Sequence, residues 1–234
     1  MKFKLSRQKI NKNLNKLFCK KIRQNKIYVP RITRKNLNEI TTIVGKIRKA
    51  GLPKHLVIKK LKGNLGRGIF LHPEAKPIQK GAAIAPYSGT VFVFPQNQDD
   101  SAEYTFSLIS DLHLTRKEQL VWDPHRRYHP RRLYSIDLDA QKKGNFTRFV
   151  NHSKNPNVEA VLVRIPANSI GVMSVSFELI YIAKKVIWPG EQLLVCYEGE
   201  DNSYWGALNI KPFPMTPKTF QLNSFLKIAT KVSF

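Results

Sequence analysis

Residues 144–157 constrain this chain more than any other stretch. They read Gly144-Asn145-Phe146-Thr147-Arg148-Phe149-Val150-Asn151-His152-Ser153-Lys154-Asn155-Pro156-Asn157. Asn, His and Ser side chains stand here among Phe and Val. Each can make several hydrogen bonds, so packing them beside apolar groups is costly unless every one is satisfied. A plain core strand does not look like this. Such a stretch holds a ligand or ties two chain segments together. About forty residues later comes Gly190-Glu191-Gln192-Leu193-Leu194-Val195-Cys196-Tyr197.

The 234 residues suffice for one large domain or a domain with extensions. A hydrophobic content of 42% supplies a sizeable core. The net charge is +24, and it is unevenly spread. Residues 1–60 hold 19 of the 40 Lys and Arg and a single acid, Glu39. This basic end implies a polyanionic neighbour such as nucleic acid, a nucleoprotein or an anionic membrane surface; a solvated charged face or an address is the bland alternative. Two cysteines, Cys19 and Cys196, make neither a disulfide framework nor a Cys-rich zinc site, and a reducing compartment is expected. No metal site is expected. No apolar run approaches the roughly 20 residues of a membrane span.

Residues 8–24 place Ile10, Leu14, Leu17, Phe18 and Ile22 at helical spacing among lysines. That basic amphipathic helix either lies on a polyanion, membrane or partner, or packs on the main domain. A second helix is expected at 36–50, closed by Gly51 and Pro53. From His55 onward the chain reads as short strands separated by turns: 56–58, 66–70, 82–94 with a break at Tyr87-Ser88-Gly89, 103–109, 133–137, 158–165, 179–183 and 192–197. Residues 111–132 are expected to be irregular. The fold class is mostly β. Three parts are expected: a basic helical extension over 1–54, a main domain over 55–205, and a tail over 206–234 packing against it. The apolar stretch Phe225–Phe234 suits either a homodimer surface or core.

Four elements occur in order: Gly66-Arg67-Gly68, Tyr87-Ser88-Gly89, Arg148 through Asn157, and Gly190 through Tyr197. Alone, the first two are ordinary turns and the third is an Asx-rich loop. Together the series resembles the signature of SET-domain protein-lysine methyltransferases. The resemblance covers about 55–205, ending in Glu200-Asp201-Asn202-Ser203-Tyr204-Trp205. It implies a β-clip, SET-like fold of several small sheets around a pseudoknot, an exception to unthreaded topology. It also implies methyl transfer from S-adenosylmethionine to a lysine ε-amine.

That chemistry needs a neutral amine, in-line positioning, and electron-rich groups around the sulfonium. By resemblance, Tyr197 is the catalytic tyrosine and Tyr87 lines the lysine channel. Gly66 and Gly68 let backbone approach the cofactor. Asn151 and His152 hold it, and Arg67, Tyr104 and Arg148 are further candidates. Trp205 is an aromatic lid or a core anchor. Glu191 is structural. Val195 stands where an aromatic often limits methyl number, which leaves mono-, di- and trimethylation open.

Two features depart from the family. Cys196 replaces the usual Asp before the tyrosine, and the family's cysteine-rich zinc segments are absent. The 206–234 tail, with Phe213, Phe220 and Phe225, is then expected to close the lysine channel. The basic segment 125–132 falls in the family's variable insert and, with the basic N-terminus, favours a histone or histone-like substrate delivered on nucleic acid. The resemblance is to stand-alone members of intracellular bacteria, acting in the bacterial cytoplasm or as effectors in a host nucleus. Two alternatives stay open: an inactive nucleoprotein-binding module of the same fold, and a methyltransferase for a non-histone protein.

Overall fold

The computed structural model describes residues 16–17, 20–21, 24, 38–40, 42–43, 45–47, 51–62, 66–96, 104–165 and 176–197. Trp205, Phe213 and the whole 206–234 tail, including the 225–234 stretch, lie outside the described residues.

Most of the regular structure among the described residues is strand. The strands are β1 (Leu56–Lys60), β2 (Arg67–Leu71), β3 (Ala83–Tyr87), β4 (Thr90–Pro95), β5 (Thr105–His113), β6 (Leu133–Asp139), β7 (Asn151–His152), β8 (Val158–Ile165), β9 (Ser176–Ala183) and β10 (Leu194–Val195). A helix, α1, spans Arg116–Trp122, and a 3-10 turn spans Phe146–Phe149. The sheets are small: β1-β2, then β4-β6-β5, then β3-β9-β8-β10-β7. Many short strands with turn residues between them produce this mostly β architecture, as the alternation and the glycine turns anticipate.

The chain forms two compact units. One contains 1–37, 88–144 and 162–179. Its centre is the antiparallel sheet β4-β6-β5, in which Ile109 faces Ile136 and Leu112 faces Tyr134. Ile109, Leu112, Leu114, Tyr134 and Ile136 are buried together with Leu17. Leu17, from the basic N-terminal segment, therefore helps close this unit's own core, whereas Ile10, Leu14, Phe18 and Ile22 lie outside the described residues. Fully burying such a side chain is worth about 1.5–3 kcal/mol.

Contrary to the irregular reading of 111–132, β5 runs through His113 and α1 follows at once. The cause is a capping box. Thr115 Oγ1 accepts from Glu118 N (3.3 Å), and Glu118 Oε2 accepts from Thr115 N (2.9 Å). Glu118 also receives Lys20 Nζ at 2.7 Å and lies 3.3 Å from Lys21 Nζ. Lys21, itself buried, donates to His113 O at 2.5 Å. Here two N-terminal lysines serve as clamps between segments.

The other unit contains 38–87, 145–161 and 180–234. The chain leaves it along β8 after Val161 and returns along β9 at Ile180. The described residues from 38 to 47 are helical and bury Ile40 and Ile47. Gly51 ends that helix with φ +73°, donating to Ile47 O, a left-handed C-terminal turn that glycine adopts without strain. Strand β10 pairs in parallel with both β7 and β8, although β7 and β8 are joined only by residues 153–157. The late segment thus lies between β7 and β8, the two strands that flank residues 153–157.

Burial alone would raise the Glu118 carboxyl, but the Lys20 bond, the Thr115 bonds and the Lys21 charge outweigh it and hold it down to about 2. That lies below the ordinary 4.5, so the clamp stabilises fully above pH 4.5 and is lost as pH falls through about 2. Glu118→Gln is expected to lower the melting temperature at neutral pH. The difference from the parent should shrink through that acid window and vanish below it, as read by thermal melts.

Candidate functional site

Most polar side chains of the stretch are hydrogen-bonded within the fold. Asn145 caps the 3-10 turn by accepting from Thr147 N at 3.2 Å and also from Thr147 Oγ1. Its Nδ2 donates to Pro86 O at 2.7 Å, which fastens the turn to the end of β3 beside Tyr87. Phe146, Thr147 and Val150 are buried beneath it. Asn151 Nδ2 then donates to Arg67 O at 2.9 Å and ties the turn to the start of β2.

His152 and Ser153 hold the late segment. Tyr197 N donates to His152 Nδ1 at 3.0 Å, so the neutral imidazole carries its hydrogen on Nε2. Ser153 N donates to Val195 O, and Ser153 Oγ accepts from Asn155 N at 3.0 Å. Asn157 is 3% exposed, and its amide spans two residues of the late segment. It donates to Gln192 O and accepts from Leu194 N, each at 2.8 Å. Glu191 caps the preceding turn by accepting from Trp188 N at 2.9 Å.

These bonds bring Tyr197 to a fixed place. Its hydroxyl donates to Val150 O at 2.5 Å. Its ring lies 5.5 Å from that of His152, tilted by 53°. The Tyr87 ring lies 5.8 Å from that of Tyr181. Tyr181 is 2% exposed, and its hydroxyl is pushed well above the usual phenol range, chiefly by burial and secondarily by Tyr197 and Tyr87. It therefore remains a neutral hydroxyl. Three tyrosines from three separate segments thus converge.

The Gly66–Gly68 turn borders the same elements. Gly66 has φ +67°, which glycine tolerates. At Gly68 a Cβ would stand 2.6 Å from Gln192 Nε2, 3.2 Å from the Phe70 ring and 3.3 Å from Asn151 Nδ2. Gln192 Nε2 is buried and has no hydrogen-bond partner among the described residues. Arg67 and Arg148 both lie over the Phe149 ring, at 5.4 and 5.0 Å. Val195 is buried and pairs with His152.

Of the residues singled out from sequence, Gly66, Arg67, Gly68, Tyr87, Arg148, Asn151, His152, Val195 and Tyr197 all fall in one unit. Tyr104 lies in the other, where its carbonyl accepts from Ala140 N. Tyr181 and Gln192 were not anticipated. Tyr181 sits in Leu179-Ile180-Tyr181-Ile182-Ala183, which reads as a plain apolar strand and gives no signal of its own. Asn145 and Thr147 were legible only as part of the polar run. Among the described residues no group of three His, Cys, Asp or Glu is placed to hold a metal ion.

A family model described as the SET domain matches residues 66–198. Among solved structures, the methyltransferase domain of human PR domain-containing protein 2 is similar at 21% identity and TM-score 0.40, over 68% of this chain and 87% of that one. ATXR5 in complex with mono-methylated histone H3.1 is similar at 18% identity and TM-score 0.48, over 75% of this chain and 71% of that one. KRYPTONITE in complex with mCHH DNA, an H3 peptide and SAH is similar at 21% identity and TM-score 0.42, over 65% of this chain and 25% of that one.

Removing the Asn157 amide leaves Leu194 N–H and Gln192 C=O buried and unpaired, at roughly 1–3 kcal/mol each. Asn157→Ala is expected to lower unfolding free energy by about 2–5 kcal/mol in urea titrations. An exposed control such as Asn155→Ala should change it by less than about 1 kcal/mol.

Proposed function

The chain belongs to the SET-domain family, and from that membership we propose that it transfers a methyl group from S-adenosylmethionine to the ε-amine of a lysine in a histone or histone-like protein. The tyrosine cluster carries the reading. Tyr197 is fixed at its hydroxyl by Val150 O and at its N–H by His152, with buried Tyr181 nearby and Tyr87 against Tyr181.

The residues present fit S-adenosylmethionine. Carbonyl, hydroxyl and imidazole groups gather at Val150, Tyr197 and His152 with no cation among them, which suits a positively charged sulfur. Arg67 and Arg148 flank one ring and offer charge for a carboxylate. Gly66 and Gly68 present bare backbone beside Asn151. When bound, S-adenosylmethionine supplies a methyl group on that positive sulfur.

The chain's own residues do the rest. Tyr197 spends its hydrogen on Val150 O, so its oxygen offers lone pairs to electron-poor neighbours. The raised pKa of Tyr181 keeps a second hydroxyl neutral, so no phenolate stabilises an ammonium. Apolar walls such as Ile180, Leu194 and Val195 disfavour the charged amine and so favour its neutral form. His152 and Asn157 hold the segment that carries Tyr197 in register, which fixes where the hydroxyl stands.

The substrate class rests on charge. A chain of net charge +24 repels a free lysine-rich peptide, whereas a basic tail presented on a polyanion reaches it readily.

Labelled methyl transfer from S-adenosylmethionine to core histones and to a histone-like protein tests the proposal. Label on lysine is expected, and Tyr197→Phe should cut it by about 100-fold or more while cofactor affinity stays within severalfold. Label absent with the cofactor bound would point to another protein substrate. Failure to bind the cofactor would remove the enzyme reading and leave a basic nucleoprotein-binding module, the alternative to which Cys196 before the tyrosine lends weight.

A further inference from the structure

Residues 116–132 carry six Lys and Arg but two acids, Glu118 and Asp123. Both acids are engaged within the fold. Glu118 holds Lys20 and Lys21. Asp123 Oδ2 accepts from Tyr134 Oη at 3.2 Å and lies 3.5 Å from Arg126 Nε. Within this segment no further acid remains to neutralise the arginines beyond Arg126.

The loop that carries them is built from inside. Gln119 is 1% exposed, and its side chain makes three bonds to that loop's backbone. Nε2 donates to Arg126 O at 3.4 Å and Arg127 O at 3.0 Å, and Oε1 accepts from His129 N at 3.3 Å. Arg132 Nη1 adds a bond to Arg127 O at 3.1 Å. A solvated charge run needs no buried amide to shape it. This one has a fixed backbone, from which Arg127, Tyr128 and Arg131 are exposed.

We propose that α1 and the loop 123–132 form a binding face for the phosphate backbone of nucleic acid. Guanidinium forks match phosphate oxygens in pairs, and a pre-shaped loop loses less conformational freedom on binding than a free tail. The surplus is of one sign, and the whole chain is at +24. A partner of dense, continuous negative charge answers that better than an acidic protein surface, where charges of both signs alternate. Duplex DNA carries one charge per about 1.7 Å of axis. The proposal concerns this folded loop rather than the basic N-terminal residues, and it stands whether or not the chain transfers methyl groups.

The test is binding of a labelled duplex DNA to the full chain across a salt series, without cofactor. Arg127→Gln with Arg131→Gln changes exposed side chains, so its melting curve should match the parent's. It is expected to weaken binding about tenfold or more near physiological salt. The slope of log affinity against log salt should fall by about 1.8, since each phosphate no longer neutralised removes about 0.9. Gln119→Ala, checked for folding by melting, keeps every charge and should weaken binding with the slope retained. The proposal is overturned if the double variant binds with unchanged slope and affinity, since binding then resides elsewhere. It is equally overturned if the parent binds no DNA, or if polyglutamate rather than DNA depends on these arginines. Because no methyl is transferred in this assay, its outcome does not depend on the enzyme reading.

Discussion

The buried amide of Asn157 accepts from Leu194 N and donates to Gln192 O, and the rest of the site hangs on that pair of bonds. Strand β10 is two residues long and parallel to both neighbours. Two-residue parallel pairing is too weak to hold this late segment in place by itself. The Asn157 side chain, Ser153 N and His152 Nδ1 supply the missing anchors. Tyr197 then follows immediately, held at its N–H by His152 and at its hydroxyl by Val150 O.

This explains why a stretch costly to bury sits inside the fold. Asn145, Asn151 and Asn157 each reach a different segment: β3, β2 and β10. Three asparagines thus fasten three pieces of chain around one tyrosine cluster. Tyr181 contributes what the fasteners cannot, a buried neutral hydroxyl beside Tyr87 and Tyr197. Rigid placement and a dry, uncharged wall are the two physical demands of moving a methyl group to an amine.

Much of this was legible in the sequence, for identifiable reasons. The strand pattern and the break at Tyr87-Ser88-Gly89 survive as β3 and β4 because alternation and turn chemistry agree there. The polar run announced a fastening or a ligand site, and its bonds now account for Asn145, Asn151 and Asn157. Helix α1 was missed although its capping box, Thr115 to Glu118, is visible; seven residues followed by a His-, Arg- and Pro-rich loop give too short a periodic signal. Leu17 was ambiguous because an amphipathic stripe does not name its partner, and only the cluster with Leu112, Leu114 and Tyr134 does. Tyr181 was invisible because an apolar strand gives no hint of where one hydroxyl will point.

The most direct measurement is a crystal structure of the chain with S-adenosylhomocysteine. The ligand is expected against Gly66–Gly68 and Asn151–His152, with its sulfur facing the Tyr197 hydroxyl. A ligand bound away from these residues, or crystals and calorimetry in which none binds, would contradict that placement and the methyl-transfer reading with it.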